Sequence, residues 1–376
     1  MFKKVSCIVL SVLICLSMFT VSVGAEAKGT DTLQFNEDGT FKIMQVADIQ
    51  DDHHLIPATL DFFRLAIESE KPDLVVLLGD NISGVPSDFE DIEKARKNTA
   101  KAIDCFMSFF EEMKQPVAVV FGNHDTENKV TKEEQMKMYM SYDCCMAIDE
   151  GETISGCGTY NLPVLSSDGT KVAYNLWFFD SYLYDGEKGI SDNIQQDQID
   201  WYVKTSDELK EANGGKPVDS MAFQHIPPKE TGKAEFISGE TNEPPSPSSG
   251  EALQVSAMLR QGDVRAICFG HDHVNTYVAK YEGIYLINCP TSGFGSYGDM
   301  NRGLRFITID EKNTSEFDTK LINYFDEYCN DDFSRCRYYV NSSIDVVWNI
   351  LKFLIIAPFN GVSVFTAIYE IFCMVS

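Results

Sequence analysis

What the chain lacks narrows its chemistry first. It holds only six histidines, and 31 Lys plus Arg stand against 57 Asp plus Glu, a formal charge of -26. Such a field repels polyanions, so no nucleic-acid polymer is expected as a partner. No Cys-x-x-Cys pair occurs, which leaves thiolate zinc sites and thioredoxin-type redox chemistry without support. There is no internal repeat. Apolar runs fall short of the roughly 20 residues a clean membrane span needs. With 44% hydrophobic and 23% charged residues among 376, the composition is that of a globular protein of one large or two small domains.

The two ends differ from the middle. Lys3 and Lys4 precede an apolar run from Val5 to Phe19, and small residues follow at Val23-Gly24-Ala25. This is the pattern of a secretory signal cut after Ala25 or Ala27, with a retained anchor as the alternative. Residues 1–25 are therefore assigned to a signal peptide, and the rest to a secreted, extracytoplasmic or cell-surface location. The cut removes Cys7 and Cys15 from a total of 11 cysteines and leaves an odd number. Export permits disulfides. Cys144 or Cys145 with Cys157, and Cys329 with Cys336, are the close-spaced candidates, whereas Cys268 and Cys289 read as buried thiols in apolar runs. At the other end, Ile344 to Ser376 is apolar but broken by Pro358, Asn360 and Gly361. Two short helices packed on the domain, on a partner or flat on a membrane surface fit it better than a span.

Between the ends, short β-branched runs alternate with amphipathic ones, which predicts an α/β layered architecture. Strands are expected at Phe41–Ala47, Leu74–Leu78, Val117–Phe121, Val172–Phe179, Val218–Gln224, Val264–Phe269, Ile284–Asn288 and Leu304–Ile309. Helices are expected at Ala58–Ser69, Ser87–Met113, Gln195–Glu211 and Gly250–Leu259. These place one domain over 32–312 and a C-terminal extension over 313–376. Within the domain, residues 230–250 carry Pro244, Pro245 and Pro247 and read as a mobile loop, a linker or a lid.

The histidines are not scattered. Four of them follow apolar strand-like runs, in the pieces Gly122-Asn123-His124-Asp125, Gln224-His225-Ile226 and Gly270-His271-Asp272-His273. Asp48-Ile49-Gln50 and Gly79-Asp80-Asn81 end two more runs in the same way. Loops at the carboxyl ends of strands are where ligands collect in open α/β sheets. Carboxylate, amide and imidazole gathered on one rim suit two cations roughly 3.5 to 4 Å apart, which clamp the attacking and leaving oxygens of a displacement. A bound cation also lowers the pKa of water towards about 7, so no side-chain nucleophile is needed.

These five pieces, in this order, resemble the calcineurin-like metallophosphoesterase superfamily. The resemblance runs from Asp48 to His273 and implies a two-sheet β-sandwich flanked by helices. It implies one metal on Asp48 and His273, a second on Asn123, His225 and His271, with Asp80 bridging, and His124 as the acid for the leaving oxygen. The wording around Trp177–Ser181, Gln198–Tyr202 and Gln224–Pro227 is similar to fungal and plant phosphatases of the inactive or atypical purple acid phosphatase type. Two departures matter. Ser83 stands where the purple enzymes carry a tyrosine ligand, so no purple colour is expected. Gln50 replaces the usual histidine of the first motif. As a neutral oxygen ligand, Gln50 would turn the first position towards manganese, iron or magnesium and away from zinc.

The Gly-rich stretch Thr291–Gly298 ends near Arg302. It reads either as plain turn chemistry or as a substrate wall with Arg302 touching a phosphate oxygen. The activity implied is hydrolysis of a small phosphorylated substrate, a monoester ahead of a diester of a nucleotide or lipid head group. A binding protein on the same scaffold, weakened by Gln50, is the reading from another class.

Overall fold

A computed structural model of the chain describes residues 32–83, 91–149, 151–185, 189–250, 253–328 and 350–368 except 352. The signal segment, Cys329 and Cys336 lie outside the described residues. Two large sheets face each other. The first has the order β14-β13-β1-β2-β3, built from β1 (Thr40–Val46), β2 (Leu74–Leu78), β3 (Val117–Val120), β13 (Gly303–Asp310) and β14 (Phe317–Asn323). The second has the order β4-β5-β8-β10-β12-β11-β9. Its strands are β4 (Tyr160–Leu165), β5 (Val172–Phe178), β8 (Ser220–Phe223), β9 (Glu235–Ser238), β10 (Val264–Phe269), β11 (Val278–Tyr281) and β12 (Ile284–Asn288). A small hairpin pairs β6 (Leu183–Asp185) with β7 (Gly189–Ser191).

Leu-Val-Val-Leu-Leu of β2 is buried at every position, as a strand covered on both faces must be. One cover is the second sheet: Ile43, Val76, Leu176, Met221 and Cys268 share a single core. The other is helical, since α1 (Pro57–Glu70) and α2 (Ile92–Glu112) send Phe62, Phe63, Phe106 and Phe110 into the same cluster. A second core lies between the other sheet and α4 (Gln196–Ala212) with α5 (Gln254–Gln261). It is built on Trp177, Tyr202, Val255 and Ile267. The sandwich flanked by helices that the resemblance implied is the architecture found.

Local rules set the ends of these elements. Asp91 caps α2 by accepting from Glu93 N, and Pro57 starts α1 where its missing N–H costs nothing. Gly262 closes α5 in the left-handed conformation at φ +70°, which glycine adopts without a Cβ penalty.

Three expectations are corrected, and several short elements join those expected. Residues 230–250 are not a free loop: they hold β9 on β11, and Ser246 N, Asn242 N and Glu240 N donate to Asp272, Asn275 and Thr276. Polar residues fastened to neighbouring polar groups leave no apolar periodicity to read. The domain does not close at 312, because β14 pairs with β13 over seven residue pairs and buries Tyr324 and Phe325 of α6 (Tyr324–Glu327). As an edge strand, β14 buries only one residue and carries no apolar run. Short α3 (Lys132–Tyr139) and the strands β4 and β11 were unread, being brief or half-covered. Cys144, Cys145 and Cys157 are free thiols here, and Cys268 and Cys289 are buried ones as expected.

Candidate metal centre

Parallel strands β1, β2, β3, β8 and β10 all end at one rim, and each delivers its motif there. Sharp turns at those ends need unusual backbone. Asp48, Gln50, Asp80 and His271 all sit at positive φ, between 41° and 72°, a region that costs non-glycine residues energy and that clusters at functional sites. The glycines beside them make room. A Cβ on Gly122 would fall 2.1 Å from Asp80 Oδ1, and one on Gly270 would fall 2.6 Å from Asp48 Oδ2.

Asp80 lies at the middle. Its Oδ2 is 3.0 Å from His225 Nε2, and its Oδ1 accepts from His124 N at 2.8 Å. Asp48 Oδ1 is 3.3 Å from His273 Nε2 and 3.9 Å from His225 Nε2, while Asp48 Oδ2 accepts from His271 N at 3.0 Å. Asp80, His225 and His271 present ligand atoms within 4.8 Å of one another. The structure thus brings Asp48, Asp80, His225, His271 and His273 into one cluster, with Asn123 and His124 on the adjoining turn.

The tautomers show what this cluster is built to hold. His225 Nδ1 donates to Leu78 O at 2.8 Å, and His273 Nδ1 donates to Tyr297 O at 3.0 Å. In each neutral ring the remaining Nε2 is then a lone-pair acceptor, yet it faces a carboxylate oxygen, another acceptor. A proton on Nε2 or a metal ion between the two atoms reconciles the pair. Burial opposes charge on His225, but Asp80 outweighs it and pushes the ring up to about 9. His273 is raised the same way, with Asp48 overcoming burial. For Asp80 itself, burial is outweighed by His225 and His124, which hold it below the usual carboxylate range. His271 goes the other way, down to about 4, through burial and then the charge of His225. It therefore stays neutral, as a ligand must. Asp48 Oδ1, Asn123 Oδ1 and His225 Nε2 are buried and have no hydrogen-bond partner among the described residues. Such orphaned acceptors, converging from separate loops, fit divalent metal better than they fit protons alone.

Two side chains behave differently from expectation. Gln50 donates Nε2–H to Asp80 Oδ2 at 3.0 Å, so in this conformation its amide supplies a donor, and Oε1 would ligate only with the amide turned over. Arg302 is corrected outright. It is 1% exposed, lies over the Phe294 ring, and donates to Gly293 O and to Ser296 O, the latter at 2.9 Å. It braces the Gly-rich loop from beneath and is not presented to a phosphate. The carboxylate beside His124 is Glu127, whose Oε2 is 2.9 Å from Nδ1. Asp125 instead accepts from Asn81 N, Ile82 N and Gly122 N and ties two ligand loops together. Burial and the nearby Asp80 raise Asp125 to about 6. The rings of His53 and His54 touch at a tilt of 46° beside Asp52, outside the central cluster.

Sequence reasoning missed Tyr297 and Ser181. Ser181 Oγ accepts from His225 N and Ile226 N and so sets the His225 turn. Nothing in a lone serine after a strand announces that role.

A family model described as Calcineurin-like phosphoesterase matches residues 41–275. The chain belongs to the calcineurin-like phosphoesterase family. Among relatives, "Probable inactive purple acid phosphatase 14" of Arabidopsis thaliana is 29% identical over 80% of this chain and 83% of that one. "Phosphatase DCR2" of Saccharomyces cerevisiae is 27% identical over 67% of this chain and 47% of that one. A dimetal phosphatase from Danio rerio aligns with 76% of this chain and 99% of its own, at 15% identity and a TM-score of 0.49. The family is metal-dependent, and the cluster of Asp80, His225 and His271 could hold a metal ion.

Proposed function

We propose that this chain is a working, binuclear metal-dependent phosphoesterase that hydrolyses phosphate monoesters outside the cytoplasm. The observation that carries the reading is the pair of imidazoles whose Nδ1–H groups are spent on Leu78 O and Tyr297 O, leaving each Nε2 facing a carboxylate. One position would use Asp48, His273 and Asp80, with Gln50 nearby; the other would use Asp80, Asn123, His225 and His271. Manganese or iron suits an oxygen-rich first position, with zinc or magnesium as alternatives. Divalent ions held there supply Lewis-acid polarisation of a phosphoryl oxygen and a water that ionises near neutral pH.

The protein's own part is positioning and proton transfer. His124 is 41% exposed at its side chain, and Glu127 holds its Nδ1. Its Nε2 then faces the site, 4.0 Å from Asp80 Oδ2, and donates the proton the leaving oxygen needs. A scaffold with little turnover is the second reading, favoured by one observation: the Gln50 amide occupies Asp80 Oδ2. The signal-like start and apolar tail support an extracytoplasmic site near a membrane surface.

The test is turnover of a matched chromogenic monoester and diester by protein loaded separately with manganese, iron or zinc. Metal-dependent release, faster for the monoester and lost in Asp80→Ala, is the expected result. A faster diester would reassign the substrate class, and no turnover from folded, metal-loaded protein would transfer the case to the scaffold reading.

A further inference from the structure

Tyr297 is one of the few large apolar-bodied side chains left exposed on the domain, at 48%, and it is also among the most firmly held. Its ring lies flat on His273, with centroids 3.9 Å apart and planes 9° apart. Its hydroxyl donates to Glu243 Oε2 at 2.9 Å, and its carbonyl accepts from His273 Nδ1. Glu243 is fixed in turn, since Oε1 accepts from Val274 N at 3.0 Å.

The loop beneath cannot recede. A Cβ on Gly293 would fall 2.2 Å from Ile49 O, and one on Gly295 would fall 2.5 Å from Gln50 O, so the loop already lies against the first metal motif. Arg302 clamps it from the other side through Gly293 O and Ser296 O. One face of the Tyr297 ring is covered by a metal-ligand candidate, and the ring as a whole stays half open. Holding His273 needs only the backbone carbonyl, which any residue supplies. An exposed aromatic ring fixed at both ends has no such explanation, and flat π-faces stack on flat π-faces.

We infer that Tyr297 is a substrate platform that selects phosphate esters whose leaving group carries a flat ring, the aryl ring of a phenol or the base of a nucleoside. The inference rests on the phosphoesterase reading and names the substrate class of that site. With the Glu243 carboxylate held at the ring's hydroxyl, a further negative charge on the leaving group is disfavoured.

The test is calorimetric binding of phenylphosphonate and methylphosphonate, which are not turned over, to manganese-loaded protein. Tyr297→Phe and Tyr297→Leu are compared with the parent chain, and metal content is measured for each. The expected result is tighter binding of the phenyl compound by about five- to tenfold, retained in Tyr297→Phe and collapsing towards unity in Tyr297→Leu. A structural role through His273 would weaken both ligands together and leave their ratio unchanged, which overturns the platform. Equal affinity for the two ligands in the parent chain overturns it as well, while failure to bind either one sinks the phosphoesterase reading itself. Repeating the comparison with a nucleoside 5′-phosphonate separates the sources: an extra gain that Tyr297→Leu abolishes assigns the nucleobase, and no gain beyond phenyl assigns the simple aryl ring.

Discussion

At the scale of single residues, His124 and Gln50 separate catalysis from metal retention. His124 offers an imidazole to the site while Glu127 holds the other nitrogen, and no metal position depends on it. His124→Ala is expected to lower kcat by about 10²- to 10⁴-fold with metal content unchanged. The loss should shrink for esters with acidic leaving groups, which need no proton; a uniform loss across a leaving-group series would remove His124 from the acid role. Gln50→His tests the opposite property. An imidazole would replace a donor that now occupies Asp80 Oδ2, so metal should bind the first position more tightly, most visibly for zinc. Titration of the metal-free variant that shows unchanged affinity would mean that Gln50 stands outside the coordination sphere. Most of this cluster was legible in the sequence because histidines are few, each piece follows a strand, and the ordered pieces resemble a family pattern. What was not legible is which atom points where: Arg302 looked like a phosphate ligand from its place after a Gly-rich loop, and only the fold shows its guanidinium spent on backbone carbonyls.

At the scale of elements, the strand ends and their packing decide stability. Gly122 follows β3, where an added Cβ would collide with the Asp80 carboxylate and backbone. Gly122→Ala must therefore move Asp80, and we expect both a lower melting temperature and loss of metal from the folded protein; normal metal content would refute the collision. Between α4 and β10, Asp263 is buried, and it accepts from Tyr202 OH and from Ser206 Oγ at 3.1 Å. Burial raises its pKa above the ordinary carboxylate value. A raised carboxyl binds its proton more tightly folded than unfolded. Its contribution is thus fully present below the unfolded pKa of about 3.9 and is lost as pH rises through the folded one. Asp263→Asn cannot titrate, so the melting temperature of the variant relative to the parent should rise across that window; a constant difference would show that Asp263 does not titrate there. The strands that sequence located correctly, such as β10 and β12, are apolar runs with cover on both faces. Those it missed in the two large sheets, β4, β9, β11 and β14, lie at or next to the sheet edges, where exposed and half-buried positions leave no apolar run to mark them.

At the scale of the whole molecule, the boundary between domain and tail falls after β14 rather than before it. A chain shortened to Lys312 would lose β14 and bare the ladder of β13, an open edge that invites pairing with other chains. A chain shortened to Tyr328 keeps that edge covered and keeps Tyr324 and Phe325 in the core. Residues 350–368 contribute nothing to the two large cores; Phe353, Ala357 and Ala367 form a small cluster of their own. Around it, Ile355, Phe359 and Phe365 are 66%, 87% and 87% exposed, and no charged residue lies between Lys352 and Glu370. No described helix is long and apolar enough to cross a membrane; the exposed apolar side chains of the tail suit contact with lipid in the plane of the surface. With a chain charge of -26, anionic lipids repel the domain, and neutral vesicles are the appropriate probe. The Tyr328 chain is expected to melt within about 2 °C of the parent chain cut after Ala25, because no described residue of the main cores is removed. The parent should float with phosphatidylcholine vesicles and the shortened chain should not. Equal flotation would take the membrane role away from the tail, and a large fall in melting temperature would show instead that the tail packs on the domain.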